Sequence, residues 1–240
     1  MDNENAPKLA NKSVVEFYTE GQKQALKSGE DKRFPNLSLV RLVGRFFQSS
    51  EGKLLDYGCG GGANFCYLVD RGFDVYGVDT SPFSLEMVKN KIAKLNLNQE
   101  RIHLNVLDTN AQSIPFADET FDFIVCASVL SLLSTKERIL NVLNEFKRII
   151  KPGGKLFLDI NGPESEFAIY SEHVSDSTYI YKGRNKQSTA LQVICPATKE
   201  EFSEMVAEVF QVEEVGFTAH HFFEYAEQEF IVCATKPKQQ

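Results

Sequence analysis

The chain is predicted to be an α/β protein: a mostly parallel sheet flanked by helices, with N-terminal helices and an inserted lid. Three observations predict this. Apolar, β-branched stretches alternate with amphipathic helical stretches from about residue 53 onward, the rhythm of repeated βαβ units. The segment Lys53-Leu-Leu-Asp-Tyr-Gly-Cys-Gly-Gly-Gly-Ala63 joins an apolar strand to a helical pattern through Phe65, Leu68 and Val69 by way of closely spaced glycines. Acids also stand where predicted strands end, at Asp79 and Asp108. With 240 residues, 42% hydrophobic and 25% charged, the chain suits one large domain with an adequate core.

The elements follow in order. Ser13-Val-Val-Glu16 reads as a capping box opening a first helix with Val14, Val15, Phe17 and Tyr18. A polar stretch ends at Arg33-Phe34-Pro35, and an apolar helix through Leu39, Val40, Leu42, Val43, Phe46 and Phe47 leads to the first strand. Phe73 to Val78 is a second strand closed by Asp79. Ser81 then caps a helix with Pro82 at its first position and Leu85, Val88, Ile92 and Leu95 on one face. Ile102 to Leu107 and Phe121 to Cys126 are the third and fourth strands. Ser134-Thr-Lys-Glu137 is a second capping box, opening a helix with the stripe Ile139, Val142, Leu143, Phe146 and Ile150. Lys151-Pro-Gly-Gly154 stops it, and Lys155 to Ile160 is the fifth strand. Residues 161–198 break the rhythm, as a lid inserted in a compact domain does. A helix through Phe202, Met205, Val206 and Val209 follows, then two strands, from Val212 to Phe223 and from Glu229 to Thr235. These form an antiparallel hairpin at the sheet edge. The expected organisation is an N-terminal helical cap segment, residues 1–49, and a domain over residues 50–240 that includes the lid.

The glycine loop points to a nucleotide-like ligand. Gly58, Gly60 and Ala63, with Asp79 about 20 residues on, also satisfy a dinucleotide fingerprint. Asp56 argues against pyrophosphate there, because a carboxylate opposes the positive field that attracts phosphate to a helix N-terminus. A ligand carrying a sulfonium and an ammonium, such as S-adenosylmethionine, is instead attracted by that acid.

Charge and cysteine usage narrow the partners. Residues 155–240 hold 7 Lys and Arg against 14 Asp and Glu, so the formal net charge of −7 lies there and the rest is balanced. A nucleic-acid substrate needs a basic footprint, which makes such a partner unexpected. No stretch approaches the roughly 18 apolar residues of a membrane span, and the N-terminal residues hold no apolar signal core. The five cysteines are scattered without a C-x-x-C pair, so no metal site is expected and a reduced, cytoplasmic setting is.

Five ordered segments make the chain resemble the class I S-adenosylmethionine-dependent methyltransferases. They are Leu55-Asp-Tyr-Gly-Cys-Gly-Gly-Gly62, Gly77-Val-Asp79-Thr-Ser-Pro, Asp108-Thr-Asn-Ala-Gln-Ser-Ile-Pro-Phe116, Phe121-Asp-Phe-Ile-Val and Ile150-Lys-Pro-Gly-Gly154. The resemblance implies a Rossmann-like seven-stranded sheet of order 3-2-1-4-5-7-6 with the last strand antiparallel. It implies S-adenosylmethionine as cofactor and S-adenosylhomocysteine as product. It also implies site residues. Asp56 would stabilise the methionine ammonium, directly or through water, and the amides and close approach of Gly58, Cys59 and Gly60 would accommodate the aminoacyl part. Asp79, with Thr80 beside it, would accept from the ribose hydroxyls. Asp108 and the Thr109 amide would meet the adenine, and Cys126 to Ser128 would lie under the sulfonium.

Catalytic residues are less legible. The donor is already electrophilic, so the protein chiefly aligns donor and acceptor, and a base helps only with some acceptors. His220, His221 and His173 are candidates for that base, and Tyr18, Arg33 and the lid tyrosines for closing over the acceptor; His103 reads as structural. The expected activity is methyl transfer to a small-molecule acceptor, with carboxylate, hydroxyl and amine acceptors left open. An NAD-dependent oxidoreductase and a non-catalytic cofactor-binding protein are the alternatives. Oligomeric state is not legible.

Overall fold

The computed structural model describes residues 12–29, 34–109, 111–182, 190–223 and 225–238. Five parallel strands form the centre of the sheet: β1 (Lys53–Tyr57), β2 (Asp74–Asp79), β3 (Ile102–Val106), β4 (Phe121–Cys126) and β5 (Ile150–Asn161). Near the C-terminus β9 (Gln211–Phe222) and β10 (Tyr225–Thr235) form the edge hairpin, with β10 antiparallel to both β9 and β5. The seven-stranded order is β3-β2-β1-β4-β5-β10-β9, which is the expected topology. Strand order reverses between β1 and β4, and open α/β sheets bind ligands at the carboxyl ends of such a pair.

Helices cover both faces. α3 (Ala63–Asp70) and α4 (Pro82–Leu95) pack on one face, α5 (Lys136–Ile149) and α7 (Lys199–Ala207) on the other. α5 buries Ile139, Val142, Leu143, Phe146 and Ile149 against the sheet. The stripe thus ends at Ile149, because Ile150 has turned extended and already pairs with Phe121. Lys151-Pro-Gly-Gly154 is a bulge within β5, with Gly153 at φ +79°, and not a separate turn before the strand.

Helix starts shift for local reasons. Thr135, not Ser134, caps α5: Ser134 is left-handed at φ 71°, whereas Thr135 is extended and its hydroxyl accepts from the Arg138 amide at 3.3 Å. Ser81 caps α4 with Pro82 in the first turn, as expected. α1 (Lys12–Ser28) already contains Ser13, so that residue does not mark its boundary.

The N-terminal segment divides in two. α2 (Leu37–Leu42) and a π-helical turn, Val43–Phe47, pack into the main core, where Phe47 meets Phe123 at 4.7 Å and Phe73 at 6.2 Å between ring centres. Among the described residues of this segment, only α1 lies over the carboxyl end of the sheet. The described residues of the interruption, 161–182 and 190–198, form more than a loop. They hold α6 (Glu166–Ile169) and a second antiparallel sheet of β6 (Ser171–Ser175), β7 (Thr178–Tyr181) and β8 (Leu191–Ile194). This sheet shares a small core with Val14 and Phe17 of α1. Thr178-Tyr-Ile-Tyr181 and Leu191-Gln-Val-Ile194 carry strand-like residues, but too briefly for periodicity to reveal them.

Candidate functional site

A cavity of about 570 Å³ opens at the carboxyl ends of β1, β2 and β4. The glycine loop and Asp79 form its floor, α1 its roof, and α6, β7 and the start of β10 its far wall. Side-chain bonds clip the roof to the floor. Thr19 Oγ1 lies 2.8 Å from Ser81 Oγ, and Ser84 Oγ donates to Gln22 Oε1 at 2.8 Å.

The loop is pinned by its own amides. Gly58 N and Cys59 N both donate to Val78 O, at 2.8 and 3.0 Å, and Gly60 N donates to Asp79 Oδ2 at 2.9 Å. The expectation that these three amides serve a ligand is therefore corrected: they are already committed, and the loop offers close backbone approach instead. Gly58 sits at φ +72°, and a Cβ there would collide with the Val129 side chain; Gly62, at φ +82°, would bring one to 2.8 Å from Val88 Cγ2. Such a loop has no free amide cradle at these positions for pyrophosphate.

Asp56 lies beneath the loop, 2% exposed, and its Oδ2 has no hydrogen-bond partner among the described residues. Burial, followed by the neighbouring Asp79, pushes its carboxyl up to about 7. A buried oxygen left without a donor is costly, and an ammonium group satisfies it. Asp79 holds the Gly60 amide with one oxygen and the Ser81 amide, at 2.8 Å, with the other. Burial raises its carboxyl as well, and these amide bonds oppose the rise. A carboxylate oxygen has two lone pairs, so both keep acceptor capacity towards the cavity. The lining thus offers the expected donor Asp79 for its ribose and a close-approach loop, while Asp56 lies outside the lining, buried behind that loop with an oxygen suited to the ammonium.

Other predicted residues separate into those the fold assembles and those it does not. Gly58, Cys59, Gly60, Thr80 and Tyr18 line the cavity with Asp79. Cys126 does not: it is fully buried in the core on the α5 face, which pushes its thiol up, whereas Ala127 and Ser128, the rest of the expected span, line the cavity. Asp108 and Thr109 follow β3 outside the lining, to which Leu107 contributes instead. His220 and His221 are exposed near the hairpin tip, where His221 Nε2 lies 3.8 Å from Glu164 Oε2. They fail to reach the cavity because it is the paired strand, at Ala226 and Glu227, that faces it. His173 lies exposed on β6 with its ring nitrogen 2.7 Å from Asp176 O. His103 stacks on Tyr76 at 4.1 Å and meets Asp74 at 2.8 Å, a structural role as expected. Arg33 lies outside the described residues.

The far wall brings in residues the motifs do not mark. Glu229, 6% exposed, accepts from Asn36 Nδ2 at 3.0 Å and Ser128 Oγ at 3.5 Å. Asn36 also donates its amide to Asn64 Oδ1 at 2.8 Å and caps α2, fastening three elements beside the cavity. Ser128 is held at φ 60°, with its amide donating to Asp159 Oδ1 at 2.6 Å. Tyr181 donates to Glu166 Oε1 at 3.0 Å, and burial, with Tyr181 and Glu166 nearby, raises the Tyr18 phenol. An acid opening the apolar run Phe230-Ile-Val-Cys-Ala234 is a sequence signal for Glu229. Nothing local marks Asn36 or Gln22. Among the described residues no acidic, His and Cys cluster could hold a metal, and no helix is long and apolar enough to cross a membrane.

Comparison with known proteins agrees with this geometry. Residues 55–158 match the methyltransferase domain family. Thiol S-methyltransferase TMT1B of Rattus norvegicus is 32% identical over 138 residues, covering 56% of this chain and 54% of that protein. The chain spans about half the length of the first curated relatives it matches. A crystal structure of a SAM-dependent methyltransferase from Methanosarcina mazei superposes with a TM-score of 0.70 at 18% identity, covering 86% of this chain and 100% of that one. The 1,6-didemethyltoxoflavin-N1-methyltransferase of Burkholderia thailandensis, solved with 1,6-didemethyltoxoflavin and S-adenosylhomocysteine, gives 0.68 at 13% identity, covering 94% and 88%. Matched motifs, strand order and the family match over residues 55–158 make the chain similar to the class I S-adenosylmethionine-dependent methyltransferases.

Proposed function

We propose that this protein transfers the methyl group of S-adenosylmethionine to a small-molecule acceptor inside this cavity. One observation carries the reading: a buried acid with an unpartnered oxygen, Asp56, under a glycine loop whose amides are already spent. That combination suits a cationic, phosphate-free ligand.

The donor brings an activated methyl on a sulfonium, so the protein's own contribution is placement. Asp56 holds the ammonium end and Asp79 the ribose hydroxyls, with Thr80 beside it. Asp108 and Thr109, which follow the lining residue Leu107, take the adenine. Ala127 and Ser128 line the path between donor and acceptor. α1 and residues 161–198 select the acceptor and exclude water, while residues 37–47 belong to the sheet's core. The cover of α1 over the cavity favours a small acceptor over a polymer. The rat relative is named for thiol methylation and the Burkholderia enzyme for methylation at a nitrogen, so the acceptor atom varies across this fold.

Thermal unfolding with S-adenosylhomocysteine and, separately, with NADH tests the proposal. Stabilisation by the first alone is expected. Stabilisation by NADH alone would move the protein to nicotinamide chemistry.

A further inference from the structure

The charged groups among the cavity's described lining residues are Asp79, Glu166, Glu227, Glu229 and Lys91. Lys91 stands at the donor end, where its Nζ would lie 3.9 Å from a Cβ added at Gly61. Asp79 also belongs to that end, on the glycine loop. The acceptor end therefore draws its charge from three glutamates carried by α6 and β10.

Aromatic rings enclose the same end. Tyr181 meets Phe167 at 4.8 Å and Phe17 at 5.9 Å, and Phe17 meets Tyr18 at 5.8 Å, all edge to face. Ring faces attract cations, and they do so more strongly where water is excluded. Neutral phenols reinforce this: the Tyr181 hydroxyl is committed to Glu166, and burial keeps Tyr18 protonated. A carboxylate or phosphate acceptor would meet repulsion from Glu166, Glu227 and Glu229, and a neutral alcohol would leave that charge unused.

We propose that the acceptor is an amine, protonated in solution and carried on an apolar or aromatic body, and that Glu229 receives its proton. Glu229 suits this step because it is nine-tenths buried, lines the cavity, and contacts Ser128 just past the end of β4. The ammonium gives one proton to the Glu229 carboxylate and regains a lone pair on nitrogen. That pair forms the new C–N bond while the S–CH3 bond breaks, its electrons staying on sulfur. The sulfonium becomes a neutral thioether, and the positive charge moves to the methylated amine. Glu166 and the rings of Phe17, Tyr18 and Tyr181 hold the cation before and after transfer.

The inference rests on the methyltransferase reading, and its test keeps the two separate. S-adenosylhomocysteine binding is measured first by calorimetry, and the loaded protein is then titrated with 2-phenylethylamine, 2-phenylethanol and 3-phenylpropanoate. The amine is expected to bind about tenfold or more tighter than either isostere, the margin of a charge-assisted contact. Glu166→Gln and Glu229→Gln should each shrink that margin while leaving the S-adenosylhomocysteine affinity in place, which also reports that they fold. Glu166→Gln keeps an acceptor for the Tyr181 hydroxyl, so it stands as the second test if Glu229→Gln disturbs Asn36. Equal or absent binding of all three compounds, preference for the alcohol or acid, or a preference unchanged by both substitutions overturns the amine and leaves the methyltransferase standing. Failure of S-adenosylhomocysteine to bind overturns both.

Discussion

At the residue scale, Asp56 and Asp79 make opposite demands on the free protein. Asp79 is held by two backbone amides, so Asp79→Ala removes acceptors from the ligand and also frees the Gly60 and Ser81 amides. A loss of about 1.5–3 kcal/mol in S-adenosylhomocysteine binding is expected, the scale of hydrogen bonds to a charged group, and calorimetry checks it. Asp56 predicts a pH dependence. An ordinary aspartate releases its proton near 3.8, whereas the folded protein holds this one up to about 7. Between those values the folded state binds more protons than the unfolded chain, so this group's contribution to stability falls as the pH rises. Ligand binding runs the other way, because an ammonium needs the ionised acid. S-adenosylhomocysteine affinity should rise with pH towards about 7 and level off above it. Asp56→Asn should flatten both profiles, and titrations across that window decide. Both acids are legible from sequence because each stands at a strand end, two residues before a glycine or an N-cap. Glu229 and Asn36 acquire their roles only where β10 and α2 meet, 193 positions apart.

Among the elements, α1 and the second sheet act as one cover. Phe17 packs edge to face on Tyr181, and Val14 and Phe17 join the small core of that sheet. Phe17→Ala should loosen the cover while sparing the main sheet. Faster amide exchange in residues 12–28 is expected, with unchanged protection of β1 and β4. Deleting residues 165–185 should impair acceptor turnover more than donor binding; equal loss of both would mean that the segment is core. Phe47 behaves differently, since it sits 3% exposed among Phe73 and Phe123. Phe47→Ala should cost about 3–5 kcal/mol of stability in denaturant unfolding, as buried aromatic truncations do. The apolar run of residues 39–47 reads simply as a helix, yet only tertiary contacts reveal that it is core and not cap.

For the whole molecule, the proposed donor site is built from loops that the sheet brings together, so ligand should stabilise the folded chain as a unit. At about 100 times its dissociation constant, S-adenosylhomocysteine adds roughly 2.7 kcal/mol. In a chain of this size that raises the unfolding midpoint by about 5–10 °C. Acidity is also a property of the whole: residues 155–240 carry the net charge of −7, and Glu166, Glu227 and Glu229 bring part of it to the cavity wall.

The sequence by itself determined the sheet, its order through the family resemblance, the glycine loop and the strand-end acids. These rest on short-range patterns: alternation, capping, and glycine where a side chain would clash. Tertiary structure alone decided which groups share the cavity. It turned Cys126 into the core, left His173, His220 and His221 in solvent, and spent the loop amides on Val78 and Asp79. The reason is physical. A strand's neighbours and a covering helix are set by contacts far apart in the chain, and no local periodicity encodes which side of a hairpin will face a ligand.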